Sequence, residues 1–149
     1  MKSAKRSLAS KAIVAAMSIS SLFSLMQPAQ AGQRFDDMGE GVFLTVECQS
    51  SSIIGFRSTT VTMTVTANGS GRTNQRLSEV FLLGRDPVSD SAIRVIERYR
   101  RRGPQQESFT VVLRNRSAER VELVDGSIAV EEDGRRTIVD VPYIVTSCS

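Results

Sequence analysis

The sequence predicts a mainly β domain: an antiparallel two-sheet sandwich, Ig-like or related in topology, with one α-helix. Three observations carry that expectation. Short segments with period-two apolar alternation recur from residue 42 to the end. Two Asp-Gly pairs, Asp125-Gly126 and Asp133-Gly134, punctuate the last third and supply the positive φ angles that tight hairpin turns require. Between the strand patterns, residues 89–103 show helical spacing instead. Three strands, a helix and further strands also fit a small OB-type β-barrel, which is the alternative architecture.

The chain opens with Lys2, Lys5, Arg6 and Lys11, then an apolar run over residues 12–26, then small residues at Ala29 and Ala31. This is the pattern of an export signal, with cleavage expected before Gly32. The apolar run is too short and too rich in serine for a transmembrane helix, which needs about 20 predominantly apolar residues. The expected organisation is therefore a cleaved signal peptide over residues 1–31, a flexible leader over 32–41 and one β-rich domain over 42–149. The expected location is periplasmic or secreted.

Along that domain, Val42, Leu44, Val46 and Cys48 alternate with Phe43, Thr45 and Glu47. A serine-rich loop follows, from which Ile53, Ile54 and Phe56 are expected to tuck back onto the core. Residues 59–66 form the most regular strand, with Val61, Met63 and Val65 against Thr60, Thr62, Thr64 and Thr66. Residues 77–83 are a short continuous apolar run that period alone leaves open; Gly84 and Asp86-Pro87 end it after seven residues, which favours a strand. The helix is expected from an N-cap at Ser89 or Asp90 to a stop at Gly103-Pro104. Ala92, Val95, Ile96 and Tyr99 would line its apolar face, opposite Arg94, Arg98 and Arg101. Residues 109–114 alternate again. A three-strand meander with turns at the two Asp-Gly pairs closes the domain, its last strand bent or at a sheet edge near Pro142.

Charge and cysteine content bound the function. After residue 31 the chain carries fifteen arginines, no lysine and sixteen carboxylates, so the basic pI of the whole chain, about 9.2, belongs to the signal segment. Nucleic acid and an anionic membrane gain no support from global charge. Cys48 and Cys148 are the two cysteines, a hundred positions apart; in an oxidising compartment they are expected to form a structural disulfide.

Histidine is absent from the whole sequence, which excludes imidazole-based triads and His-rich zinc sites. No phosphate-binding glycine loop or nucleophile elbow occurs, and no cofactor or metal is expected. A carboxylate-only hydrolase acting on envelope polysaccharide is the alternative function, with Asp36, Asp37, Glu40, Glu47, Glu131, Glu132 and Asp133 as its possible acids. The preferred expectation is an exported, non-catalytic binding or structural module of the bacterial cell envelope. It would engage a protein or an anionic surface polymer through sheet edges or an Arg-rich helix, with Arg94, Arg98, Arg101 and Arg102 as the anion- or partner-binding side chains. The threonine ladder at Thr60, Thr62, Thr64 and Thr66 repeats its hydroxyls about 6 to 7 Å apart, a spacing that could suit a flat ligand.

Overall fold

The computed structural model describes residues 32–69 and 71–149; the expected signal peptide lies outside them. Among the described residues the secondary structure is β throughout and no helix is present. Nine strands follow in order: β1 (Gln33–Gly39), β2 (Val42–Ile53), β3 (Phe56–Thr66), β4 (Arg76–Arg85), β5 (Ala92–Arg98), β6 (Gln106–Arg114), β7 (Arg120–Glu132), β8 (Arg135–Asp140) and β9 (Ile144–Ser147). One antiparallel sheet has the order β1-β2-β3-β6. The other runs β9-β7-β4-β5, with β8 also on β7. Because β4 occupies the opposite flank of β7, β8 and β9 lie end to end along a single edge.

The alternation read from the sequence decides which faces meet. Val42, Leu44, Val46 and Cys48 of β2 and Val61, Met63 and Val65 of β3 are fully buried. They join Leu77, Val80 and Leu82 of β4, Ile93 and Val95 of β5, and Val121, Leu123, Ile128 and Val130 of β7 in one apolar cluster between the sheets. Burying each such side chain contributes about 1.5–3 kcal/mol relative to exposure. The arrangement is sandwich-like. The sheets do not close into a barrel, so the OB-type alternative is set aside.

The expected helix is instead strand β5, paired antiparallel with β4 from Arg98 opposite Glu79 to Ala92 opposite Arg85. Ile93 and Val95 face inward while Arg94 and Ile96 face out, so the period is two. The segment fits both periods, and its β-branched residues Ile93, Val95 and Ile96 suit a strand. The flank of β4, with a backbone to be paired, decides.

Asp125-Gly126 is not a turn either. Leu83 pairs with Asp125 but Gly84 pairs with Leu123, so Val124 is an extra residue, a bulge within the long strand β7. The bulge reconciles two apolar pairs of opposite parity, Val121 with Leu123 and Ile128 with Val130, all of which face the core. Gly126 is required for a reason other than turning: a Cβ there would lie 2.6 Å from the carbonyl oxygen of Phe81. Asp133-Gly134 does turn the chain as expected, with both φ angles positive (52° and 79°) between Glu132 and Arg135. The last strand breaks at Val141-Pro142-Tyr143. Val139 and Val141 are buried on one side of Pro142, and Ile144 and Thr146 on the other.

The expected leader is also ordered into the sheet. Residues 33–39 form β1, paired with β2 from Gln33 opposite Glu47 to Gly39 opposite Val42. Polar composition hid this, because β1 is an edge strand whose partner supplies the apolar face. At its turn, the buried Gln75 side chain donates to the carbonyl oxygen of Glu40 (2.6 Å) and accepts from the Asn68 N–H (2.9 Å), tying the β3–β4 loop to the β1–β2 turn.

Cys48 and Cys148 form the expected disulfide, joining β2 of the first sheet to the residue after β9 of the second. Around it the Cys48 N–H donates to the Gly32 carbonyl (2.7 Å), the Ser149 N–H to the Cys48 carbonyl (3.2 Å) and the Ser50 N–H to the Ser149 carbonyl (2.8 Å). Reducing the bond is expected to lower stability by up to about 4.7 kcal/mol, the loop-closure value for a crosslink spanning 100 residues. Thermal unfolding followed by circular dichroism with and without reductant measures it; an unchanged midpoint contradicts the assignment.

Candidate functional site

The four sheet edges differ in how they are protected. β1 is bulged between Asp37 and Gly39. The β8–β9 edge is interrupted at Pro142. β5 carries Arg94, Glu97 and Arg98. β6 has no proline, no bulge and no charged residue between Ser108 and Leu113, and its nine residues stay in continuous register with β3. A long, flat, uncharged edge is the kind that accepts another strand.

The register shows which backbone groups of β6 are free. The Asn115 N–H donates to the Arg57 carbonyl and the Ala67 N–H to the Gln105 carbonyl, which makes the odd-numbered residues of β6 the ones bonded to β3. The N–H and C=O groups of Gln106, Ser108, Thr110, Val112 and Arg114 therefore point away from the sheet. Side chains of these same residues are exposed, whereas Glu107, Phe109 and Val111 are half-buried and Leu113 is buried.

On the outer face the threonine ladder is part of a wider surface. Thr62 stands between Glu47 and Thr110, Thr64 between Thr45 and Ser108, and Thr66 between Phe43 and Gln106. The hydroxyls of Thr64 and Ser108 are 2.8 Å apart, and the Thr66 hydroxyl donates to Gln106 Oε1 at 3.3 Å. Phe35 and Phe43 stack at one end of the face, ring centroids 5.4 Å apart. Hydrogen bonds thus link the side chains of β3 directly to those of the open edge.

The four arginines singled out from the sequence do not share a helix face. Arg94 and Arg98 lie on the outer face of β5, and Arg101 and Arg102 are exposed on the connection that enters β6. Arg98 is engaged by Glu79 at 2.7 Å, and Arg136 reaches the same carboxylate at 2.8 Å. The hydrogen bond from Arg98, with support from Arg136, holds the Glu79 carboxyl below its usual range. Of the acids considered for hydrolysis, Glu40 and Glu132 are brought together, but on Arg72, at 3.1 and 2.9 Å. Glu131, Glu132 and Asp133 sit at the β7–β8 turn, and Asp36, Asp37 and Glu47 lie on β1 and β2.

Two further groups are strongly perturbed. Burial, then the hydrogen bond to Glu107 Oε1 (3.0 Å), push the Tyr99 hydroxyl far above its ordinary range; this bond ties the end of β5 to β6. Asp86 is almost wholly buried in the β4–β5 loop. Burial pushes its carboxyl up, but hydrogen bonds from the Ser89 hydroxyl (2.7 Å), the Val88 N–H (3.0 Å) and Arg116 outweigh burial and hold it below 3.8. Among the described residues no group of three side chains is placed to hold a metal ion.

Sequence reasoning missed the outward positions of β6 and the apolar tip of the β2–β3 hairpin, where Ile53, Ile54 and Phe56 are exposed rather than tucked onto the core. A signal for the first was available in the uncharged stretch from Ser108 to Leu113. The second was marked by apolar residues that fall outside any alternation.

No protein-family model and no curated protein matches the sequence. Among solved structures, the chain is similar to a Bordetella pertussis protein provisionally named ApaA, at 10% identity over 81% of this chain and 98% of that one, with a TM-score of 0.46. It is also similar to a second structural-genomics protein, at 11% identity over 73% and 88% of the two chains, with a TM-score of 0.44.

Asp86 yields a test of the end of the sandwich on which β6 ends. Asp86→Ala is expected to cost about 2–3 kcal/mol, because it orphans buried donors and the Arg116 pair. The charge-dependent part has a defined sign. Its folded pKa is depressed, so the stabilisation is present above the ordinary carboxylate value and is lost as pH falls through the folded value. Urea titrations of wild type and Asp86→Asn should differ by a constant amount near neutrality, begin to converge below about pH 4, the region of an unperturbed Asp, and meet only once the pH is below the folded value.

Proposed function

We propose that the chain is an exported, non-catalytic binding module of the bacterial cell envelope that takes up an extended polypeptide segment by strand addition on β6. The open edge carries this reading: five alternate residues of β6, Gln106 to Arg114, each offer an outward N–H and C=O that another strand would satisfy. Each such bond is worth about 0.5–1.5 kcal/mol net, so affinity would come from the row rather than from one contact.

The surroundings of the edge specify the segment. On its inner side the incoming strand would place apolar residues over the half-buried Phe109 and Val111. On its outer side it would continue the Thr-Ser rows with hydroxyl or amide side chains. Arg101 and Arg102 near one end and Arg114 at the other favour acidic residues flanking the segment. Arg94 and Arg98, on the outer face of β5, are left to a secondary anion contact.

An Ig-like assignment of the fold belongs to the same proposal. What supports it is the strand order, in which β4 and β5 of one sheet intervene between the paired strands β3 and β6 of the other, as in Greek-key sandwiches. β1 would then be an addition at the start of the domain.

Thr110→Pro tests the edge selectively. It removes an outward N–H and no bond to β3, so the fold should persist, while Val111→Pro should destabilise the domain by breaking the ladder. Envelope material captured by the wild-type protein through this edge should bind Thr110→Pro at least about tenfold more weakly, as expected for losing a bond and the approach of its neighbours. A partner retained equally by both proteins overturns strand addition at β6.

A further inference from the structure

The β2–β3 hairpin continues beyond the domain that supports it. Its base is fixed: the Ser50 hydroxyl donates to the Ala118 carbonyl, while Thr59 Oγ1 donates to the Arg116 carbonyl (3.0 Å) and accepts from the Ala118 N–H (2.8 Å). The disulfide lies two residues behind, at Cys48. Beyond Ser50 the hairpin stays in register to Ile53 opposite Phe56, and all residues from 51 to 57 are exposed. At about 3.3 Å per residue, Ile54 stands about 13 Å past Ser50. Three large apolar side chains crown this projection, with exposures of 69% for Ile53, 97% for Ile54 and 78% for Phe56.

The projecting part of the hairpin itself carries charge of one sign. No carboxylate occurs from Gln49 to Ser78, and Arg57 and the exposed Arg114, opposite Ser58, flank the apolar residues. At the same end of the sandwich the loop held by Asp86 exposes Val88, and its acids face arginines: Asp86 meets Arg116 at 3.3 Å and Asp90 meets Arg85 at 3.7 Å. Glu119 is a further exposed acid at this end. We propose that the β2–β3 tip is a wedge for a lipid bilayer with anionic head groups, inserting Ile53, Ile54 and Phe56 into the interface while Arg57 and Arg114 stay at head-group level. Ile53 and Phe56 exchange the backbone bonds that close the two-residue turn Ile54-Gly55, and the Arg57 carbonyl is taken by the Asn115 N–H, so near the tip it is the turn and the outward-facing groups of Ser52 that would be desolvated. Apolar insertion combined with Arg at the surface is the pairing that holds interfacial elements on anionic membranes. This site is separate from the open edge of β6.

The sequence contains no tryptophan, so an Ile54→Trp variant carries a single indole at the tip. With the disulfide intact, its emission should shift to the blue on adding vesicles of phosphatidylcholine mixed equally with phosphatidylglycerol, and less with phosphatidylcholine alone. In co-sedimentation with the mixed vesicles, Ile54→Ser/Phe56→Ser should lower binding at least about tenfold, in keeping with the loss of two inserted side chains. Its melting temperature should not change, because both residues are exposed. Arg57→Ser should weaken binding and reduce its dependence on salt, whereas Thr110→Pro should bind vesicles as the wild type does. No blue shift, or equal binding by the double serine variant, overturns the proposal. So does binding that requires only the arginines, or a tip that crosslinks to a protein while failing to bind vesicles.

Discussion

The closure around Cys48 holds the two sheets at one end. The disulfide fixes one pair of atoms across the gap, and the backbone bonds of Gly32 and Ser149 to Cys48 and Ser50 fix the surrounding chain. Where the pairing of β1 with β2 ends at Gln33 and Glu47, Ser149 takes over beside Ser50. The chain that follows β9 of the second sheet is thus bonded directly to β2 of the first. The hairpin tip, the loop from Asn115 to Glu119 and the start of β1 all take their positions from this clamp.

The second constraint is parity. Each strand must keep one face inward, and where the sequence changes phase the backbone has to absorb a residue. β4 does so at Ser78, between Leu77 and Val80, and β7 does so at Val124. The two strands are neighbours, and at the β7 bulge their close approach is permitted by Gly84 and Gly126; a Cβ on Gly84 would lie 2.3 Å from the carbonyl oxygen of Glu122. β8 and β9 change phase more bluntly, with Pro142 ending one ladder so that another can begin. Irregularities interrupt two edges, β1 and β8–β9, and charged side chains mark β5, while the first sheet keeps its regular strands β3 and β6 and with them the flat, uncharged edge.

Much of this was legible. The inward positions of β2, β3 and β6 follow from alternation, the Asp133-Gly134 turn from its chemistry, and the disulfide from the scarcity of cysteine together with the oxidising compartment that the sequence predicts. Other features were set by partners distant in sequence. Residues 92–98 satisfy helical and extended periods equally well, and only the flank of β4 chooses. Asp125-Gly126 has the composition of a turn, but the carbonyl of Phe81 across the sheet is what demands the glycine. β1 lacks an apolar face of its own and becomes a strand because β2 offers it a ladder. For the candidate site, residue types pointed to Arg94, Arg98, Arg101 and Arg102 on a helix that the structure replaces with β5 and its following connection, while the uncharged stretch of β6 hinted at an edge whose free backbone groups only the register identifies.

The spacing of these ladders along the chain also orders their formation in time. β2 and β3 are joined by two residues, so their hairpin closes at little entropic cost, whereas β3 must wait for β6 across the whole of β4 and β5, and the disulfide spans a hundred positions. The element bearing the most exposed apolar side chains is therefore among the first able to fold, and the bond that anchors its base among the last. During that interval the apolar tip is formed but untethered, and Arg114 has yet to join it. A nascent chain would meet any apolar surface hairpin first, before the rest of the sandwich has formed behind it.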